Sequence, residues 1–277
     1  MSSVERDPPG RRALTASPNA AGAGAPWITR PLARPLAWLV LQTLLLGLGL
    51  ASLLWNAVAW VLLPLLPRQR GLQLGRAAIA RGYAVFWRVA RASGLLQMQA
   101  DALDALADER GLIIVANHPS LLDALMLVAH LPRSACVMKA GLARNPFLGA
   151  GARLARYIRN DSTLGLVRLA VADLRGGGQL VLFPEGTRTT RWPLNPFQSV
   201  VGVIAKRARA PVQAVFIDTD SPYLGKGWPL WRLPPLPIVF RVRLGRRFEP
   251  RDDTQALQDE LEAYFGAGVQ RTPPPLR

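Results

Sequence analysis

The sequence predicts an α/β fold: a mostly parallel sheet flanked by helices, with N-terminal membrane-associated helices ahead of it. Three observations lead there. After residue 110 short apolar runs alternate with segments of helical period, the pattern of strand–helix–strand units in a parallel sheet. Between Leu36 and Pro67 there is no charged residue, a run long enough to cross a bilayer as a helix. Between these two regions lies a helical pattern whose arginines gather on one side. The expected organisation is a disordered tail over 1–30, a membrane-associated helical segment over 31–93, an α/β domain over 94–268 and a flexible tail over 269–277.

Taking the elements in order, residues 1–26 are rich in Pro, Gly, Ala and Ser with no apolar period, and the chain closes on Thr272-Pro273-Pro274-Pro275-Leu276-Arg277. Arg30 and Arg34 precede the uncharged run, and Arg68 and Arg70 follow it. The run is too long for a signal-peptide core and has no small-residue cleavage site. Gly47, Gly49, Asn56 and Pro64 interrupt it, and both flanks are basic, which leaves a single span or a re-entrant hairpin open. In Leu72–Ser93, at ~100° per residue, Arg76, Arg81, Arg88 and Arg91 fall within an arc of roughly 140°, while Leu72, Ile79, Phe86, Trp87 and Val89 lie mostly elsewhere. Such a helix suits a headgroup boundary and equally an ordinary domain surface.

In the α/β region, strands are predicted over Leu112–Ala116, Ala135–Lys139, Tyr157–Arg159, Gln179–Phe183, Val212–Asp218 and Ile238–Leu244. Helices are predicted over Ser120–Leu131, a glycine-containing stretch ending at Arg156, Thr163–Arg175, Pro196–Arg209 and Asp253–Phe265. Asp161 or Ser162 caps the Thr163 helix, and Gly176 ends it. No internal repeat occurs.

Composition narrows the partners. Lys and Arg number 34 against 18 Asp and Glu, a formal charge of +16 that suits an anionic membrane surface, phosphorylated substrate or nucleic acid. Only Lys139, Lys206 and Lys226 are lysines, so a GC-rich genome offers a second account of the arginine excess. No dense basic run or nucleic-acid motif is present, which argues against a nucleic-acid partner, and the uncharged run favours a bilayer. Cys136 is the sole cysteine, which excludes an intramolecular disulfide and a cysteine metal cluster; it reads as a buried structural thiol.

Two segments carry chemistry. The first is Asn117-His118-Pro119-Ser120-Leu121-Leu122-Asp123. Pro119 holds His118 out of the helical region and is placed to be the first helical residue. Within one straight helix, side chains five apart point ~140° apart. With His118 in the preceding turn, its ring instead folds back on Asp123, which fixes one nitrogen and leaves the other as a base. A capping histidine beside a solvent carboxylate is the plainer alternative. His130 reads as the end of the same helix. The second segment is Val181-Leu182-Phe183-Pro184-Glu185-Gly186-Thr187-Arg188, where a strand enters a proline-bounded turn. Ligands of open α/β sheets sit beyond the carboxyl ends of strands, so both segments line one crevice on this reading. Arg188 offers a fork for phosphate and Glu185 a partner for a hydroxyl; a local Glu–Arg ion pair is the plainer alternative.

Together, His118 with Asp123 and Phe183-Pro184-Glu185-Gly186-Thr187-Arg188 resemble the glycerolipid acyltransferase family, lysophospholipid acyltransferases that include the 1-acyl-glycerol-3-phosphate type. The resemblance covers about residues 95–245, with weaker blocks at Lys139 to Arg159 and at Ala210-Pro211-Val212. It implies that His118 is the general base and Asp123 its orienting partner. It implies substrate binding by Glu185, Gly186, Thr187, Arg188, Arg159 and Lys139. It also implies acyl-CoA or acyl-carrier protein as co-substrate, membrane lipids as partners, and no metal or cofactor. The implied location is a bacterial inner membrane with the catalytic domain in the cytoplasm. The chain departs from the family pattern at Gln198, Val200 and Gln213-Ala214. Cys136-Val137-Met138-Lys139 and Asn145-Pro146-Phe147 also resemble a bacterial subgroup associated with aryl-polyene pigment lipids. Two rival classes remain: a metal-dependent hydrolase using His118, Asp123 and Glu185, and a basic non-enzymatic module.

Overall fold

In the computed structural model, which describes residues 33–269 apart from Trp192 and Ser199, the apolar runs become strands. They are β1 (Leu96–Gln99), β2 (Leu112–Ala116), β3 (Ser134–Lys139), β4 (Ile158–Asn160), β5 (Gln179–Leu182), β6 (Val212–Thr219) and β7 (Ile238–Phe248). The seven form one sheet in the order β1-β7-β6-β2-β5-β3-β4, parallel throughout except for the antiparallel pair β6–β7. The tail expected over 1–30, and all but Val269 of that expected over 269–277, lie outside the described residues; Val269 is buried.

Every residue of β2, β5 and β6 is buried, as unbroken apolar strands are when helices cover both faces. Successive side chains alternate between those faces. Leu112, Ile114, Ala116, Val181, Val215 and Ile217 go to one core layer, where they meet Phe86, Trp87, Met126 and Leu127. Ile113, Val115, Leu180, Leu182, Val212 and Ala214 go to the other, against Leu166, Ala170, Ile204, Leu257 and Phe265. The first layer is built by α1 (Ala33–Leu65), α2 (Arg68–Ala92) and α3 (Asp123–His130); the second by α5 (Thr163–Arg175), α6 (Val201–Ala208) and α7 (Thr254–Gly268). A short α4 (Gly149–Leu154) packs under α1. Capping side chains start two of these helices. Ser162 Oγ accepts from the Gly165 N–H at 3.1 Å, and Asp253 Oδ1 accepts from the N–H groups of Gln255 and Ala256 at 3.1 and 2.9 Å.

The uncharged run is one continuous helix, with Pro64 in its last turn, and so not a hairpin. It is long and apolar enough to cross a membrane by length and composition. It also touches the domain along much of its length. Ala37 and Leu41 join the first core layer, and Ala59 packs with Ala150 and Leu154 of α4, about 33 Å further along the helix axis. Asn56 Oδ1 accepts from the Gly151 N–H at 2.9 Å, and its Nδ2 donates to the carbonyls of Ser52 and Phe147. Gly151 makes this approach possible, since a Cβ there would sit 2.6 Å from Trp55 Nε1. The opposite face leaves Leu39, Leu46, Leu50, Leu54, Trp60 and Val61 exposed.

Two expectations change at α2. Arg76 is not on an exposed basic face but buried. Its Nη2 meets Asp173 Oδ1 at 2.6 Å, its Nε donates to Ala155 O at 3.1 Å and its Nη1 to Arg133 O at 2.7 Å. Val89, read as part of the apolar face, is exposed. The remaining outward arginines, Arg81, Arg88 and Arg91, share the exposed side with Leu74, Val85 and Val89.

Candidate active site

The site begins where β2 ends. Asn117 Nδ2 donates to Ile217 O at 2.9 Å, and its Oδ1 accepts from the Ile217 N–H at 2.8 Å. The side-chain amide thus imitates one more ladder pair with β6 and pins the chain just before it turns. Residues 119–122 form the turn, and Asp123 is the first residue of α3. Pro119 therefore lies outside the helix instead of opening it.

His118 Nδ1 lies 2.8 Å from Asp123 Oδ2. Asp123 is wholly buried, and the same oxygen accepts the Ser120 N–H at 2.7 Å. A carboxylate against Nδ1 favours the tautomer protonated there, which leaves the lone pair on Nε2. The imidazole is stacked on Phe183, centroids 4.1 Å apart and planes 20° apart, so a second contact limits its rotation.

Phe183-Pro184-Glu185-Gly186 is a tight turn closed by the Gly186 N–H on Phe183 O at 3.0 Å, with proline second and glycine fourth. Gly186 has φ +66°, a left-handed conformation that favours glycine. Glu185 is buried. Its Oε1 accepts from the His118 N–H at 3.0 Å and the Thr189 hydroxyl at 2.8 Å, and its Oε2 accepts from the Asn195 N–H at 2.9 Å. The Thr189 N–H donates to His118 O at 2.7 Å. Both backbone polar groups of His118 are thus held by the second motif and the residue that follows it. Glu185 was expected against the acceptor; its two oxygens are engaged inside the protein, and the geometry gives it a positioning task.

Arg188 Nη1 donates to Leu224 O at 2.9 Å and Gly225 O at 3.0 Å. Among the described residues no hydrogen bond engages its Nε or Nη2. Thr187, beside it, is half-buried. Lys139 and Arg159 stand at the same carboxyl edge of the sheet, since Lys139 pairs with Asn160 and Met138 with Arg159. Because β3 is two strands and β4 three strands from β2, they stand to the side of the His118 strand by about 10 and 14 Å. The structure does not bring them against His118 or Arg188. Lys139 is exposed, and Arg159 Nη2 pairs with Asp161 Oδ2 at 3.1 Å. His130 ends α3 as expected, with Nδ1 2.7 Å from Asp104 Oδ1. His118, Asp123 and Glu185 do not gather as a ligand set, and no such group of His, Cys, Asp or Glu occurs among the described residues.

A second anchor closes the site. Tyr223 O accepts from Ser120 Oγ at 2.9 Å, and Leu224 O accepts from the Leu121 N–H at 3.0 Å. Burial pushes the Tyr223 phenol up to about 12, so it is neutral at ordinary pH. Asn117 and Phe183 lie inside the two segments but carried no assigned role in the sequence; Thr189, Asn195 and this carbonyl run were missed. Thr189 and Asn195 follow the second segment closely, so position along the chain could have flagged them; nothing local marks Tyr223–Gly225.

An acyltransferase family model matches residues 97–218, which span both motifs. A lyso-ornithine lipid O-acyltransferase of Pseudomonas aeruginosa is 31% identical over 191 residues, 64% of this chain and 71% of the relative. The chain belongs to the acyltransferase family. A putative 1-acyl-sn-glycerol-3-phosphate acyltransferase of Caenorhabditis elegans is 31% identical over 42% of this chain and 44% of its own length. For a 1-acyl-sn-glycerol-3-phosphate acyltransferase of Helicobacter pylori the values are 30%, 38% and 47%, so these two matches span under half of each relative. The acyltransferase fold is also that of the crystal structure of the 1-acyl-sn-glycerophosphate acyltransferase PlsC from Thermotoga maritima. That similarity has a TM-score of 0.57 and 18% identity, covering 85% of this chain and 94% of the other.

Proposed function

We propose that this acyltransferase moves a fatty acyl group from acyl-CoA or acyl-carrier protein to a hydroxyl of a lysophospholipid-like acceptor, with 1-acyl-glycerol-3-phosphate the leading candidate. The observation that carries the mechanism is the 2.8 Å contact between His118 Nδ1 and the buried Asp123 carboxylate. Nε2 takes the proton of the acceptor hydroxyl as its oxygen attacks the thioester carbonyl. The tetrahedral intermediate collapses, the C–S bond breaks, and the leaving thiolate recovers the proton from the imidazolium. A base of this kind contributes ~10²–10⁴-fold, and positioning supplies much of the rest. Burial pushes the Cys136 thiol up to about 12, so the chain's one cysteine is a poor nucleophile and the transfer runs without a cysteinyl intermediate.

Arg188, with Nε and Nη2 unengaged, supports an anionic acceptor group. A lyso-ornithine lipid acceptor is favoured by a separate observation, the coverage of the Pseudomonas relative. Purified protein assayed with both acceptors decides between them. Arg188→Lys, which loses the fork, should raise KM for the phosphate acceptor and leave donor KM unchanged; a change in donor kinetics alone would reassign the site. The apolar outer face of α1 and the outward arginines of α2 support attachment to the cytoplasmic face of a bacterial inner membrane, where thioester donors are found.

A further inference from the structure

The segment between β6 and β7 runs from the active site to an exposed tryptophan tip. At the tip, Trp231 is 72% and Leu230 54% exposed. Arg232 lies over the Trp228 ring at 5.0 Å, and Trp228 Nε1 donates to Arg232 O at 3.2 Å. The tip is docked on the beginning of α1: Trp38 Nε1 donates to Trp231 O at 2.7 Å and Gln42 Nε2 to Leu230 O at 3.0 Å. Leu36, Trp38 and Leu39 there are themselves exposed, so the tip continues the bare apolar face of α1. At the segment's other end, the carbonyls of Tyr223, Leu224 and Gly225 hold Ser120, Leu121 and Arg188.

We infer that the Trp228–Trp231 tip is a bilayer-docking element that seats in the headgroup layer and sets the position of the active site at the lipid surface. Exposed tryptophans, with an apolar body and a polar N–H, favour that layer, and a neighbouring arginine suits anionic headgroups. The surface is continuous with the apolar face of α1, which selects lipid over a protein partner. Because hydrogen bonds from this one segment hold both Arg188 and the turn after His118, docking the tip carries the site with it. The segment is thus a positioning device and takes no part in the chemistry.

The test uses the full chain. Cys136 is buried, so Trp231→Cys can be labelled selectively with an environment-sensitive fluorophore, and Asp108→Cys on the far surface serves as reference. With vesicles of phosphatidylethanolamine and phosphatidylglycerol, emission at 231 should shift to the blue and be quenched by shallow spin-labelled lipids, while that at 108 stays aqueous. Aqueous emission at 231, or a shift that follows protein concentration without vesicles, would overturn the inference; the second outcome would mean that another copy covers the tip. In turnover, Trp231→Ala with Leu230→Ala should raise KM for a vesicle-borne acceptor about fivefold or more and leave a monomeric short-chain acceptor unaffected. Equal losses on both, or none, would also overturn it. This arm rests on the acyltransferase reading; the fluorescence arm involves no turnover, so its failure leaves that reading standing.

Discussion

Three constraints meet on His118: the Asp123 carboxylate and the Phe183 face on its ring, and bonds at its backbone N–H and carbonyl. His118→Ala should therefore abolish transfer in a protein whose melting temperature is little changed, and near-wild-type turnover would end the mechanism proposed above. Asp123→Asn should cost most of the activity, because an amide can present a donor to Nδ1 and reverse the tautomer. Glu185→Gln tests a different role. A glutamine amide nitrogen cannot accept, so at least one of the three donors now facing the carboxylate loses its partner, at about 1–3 kcal/mol. The measurement is thermal stability alongside kcat: both should fall, whereas a pure substrate ligand would change KM with stability intact. These residues were legible from the two motifs. The stacking of Phe183 was not, since it depends on β5 lying beside β2.

Among the elements, the strands were easiest to read. Leu112–Ala116 is both the predicted and the observed strand, and Thr163–Arg175 the predicted and observed helix, because each carries its own period and punctuation. Local pattern overran at Pro196–Arg209, which is helical only over Val201–Ala208; just ahead of it, Asn195 is bonded to Glu185 and Arg188 instead, and Thr189 to Glu185. β1 and the 3-10 turn at Asp101–Leu106 were missed, being short and lacking alternation. Arg76 shows an element-scale dependence on pairing. It joins α2 to α5 through Asp173, and to the end of α4 and the turn before β3 through two carbonyls. Arg76→Ala should destabilise by about 3–5 kcal/mol in chemical denaturation, because it strands a largely buried carboxylate. Arg76→Lys should recover little, since one ammonium cannot replace three directed donors.

At the scale of the whole molecule, α1 is both a core helix and an apolar surface. Removing residues 1–66 should therefore do more than weaken membrane attachment. It uncovers the layer where Ala37 and Leu41 pack with Val40, Leu44, Leu45 and Leu48, so the truncated chain should melt lower. What still binds vesicles should fall off with salt if Arg81, Arg88 and Arg91 provide the attraction, as exposed charges are screened. Complete solubility of a folded truncation at low salt would remove α2 from the membrane surface. Retention insensitive to salt would leave an apolar contact such as the Trp228–Trp231 tip.

Periodicity, turn residues and the two motifs were enough, by themselves, to determine the α/β class, most strands and the family resemblance, because each is written in short stretches of chain; they set His118 near Asp123 but left a capping histidine open. Tertiary structure alone decided what depends on neighbours distant in the chain. It turned Glu185 inward onto His118, buried Arg76 against Asp173, and laid one face of α1 along the domain. It also brought the carbonyls of Tyr223–Gly225 to Arg188. A carboxylate or guanidinium reads the same in sequence whether it faces solvent or a buried donor; only the packing of the sheet determines which partner it meets.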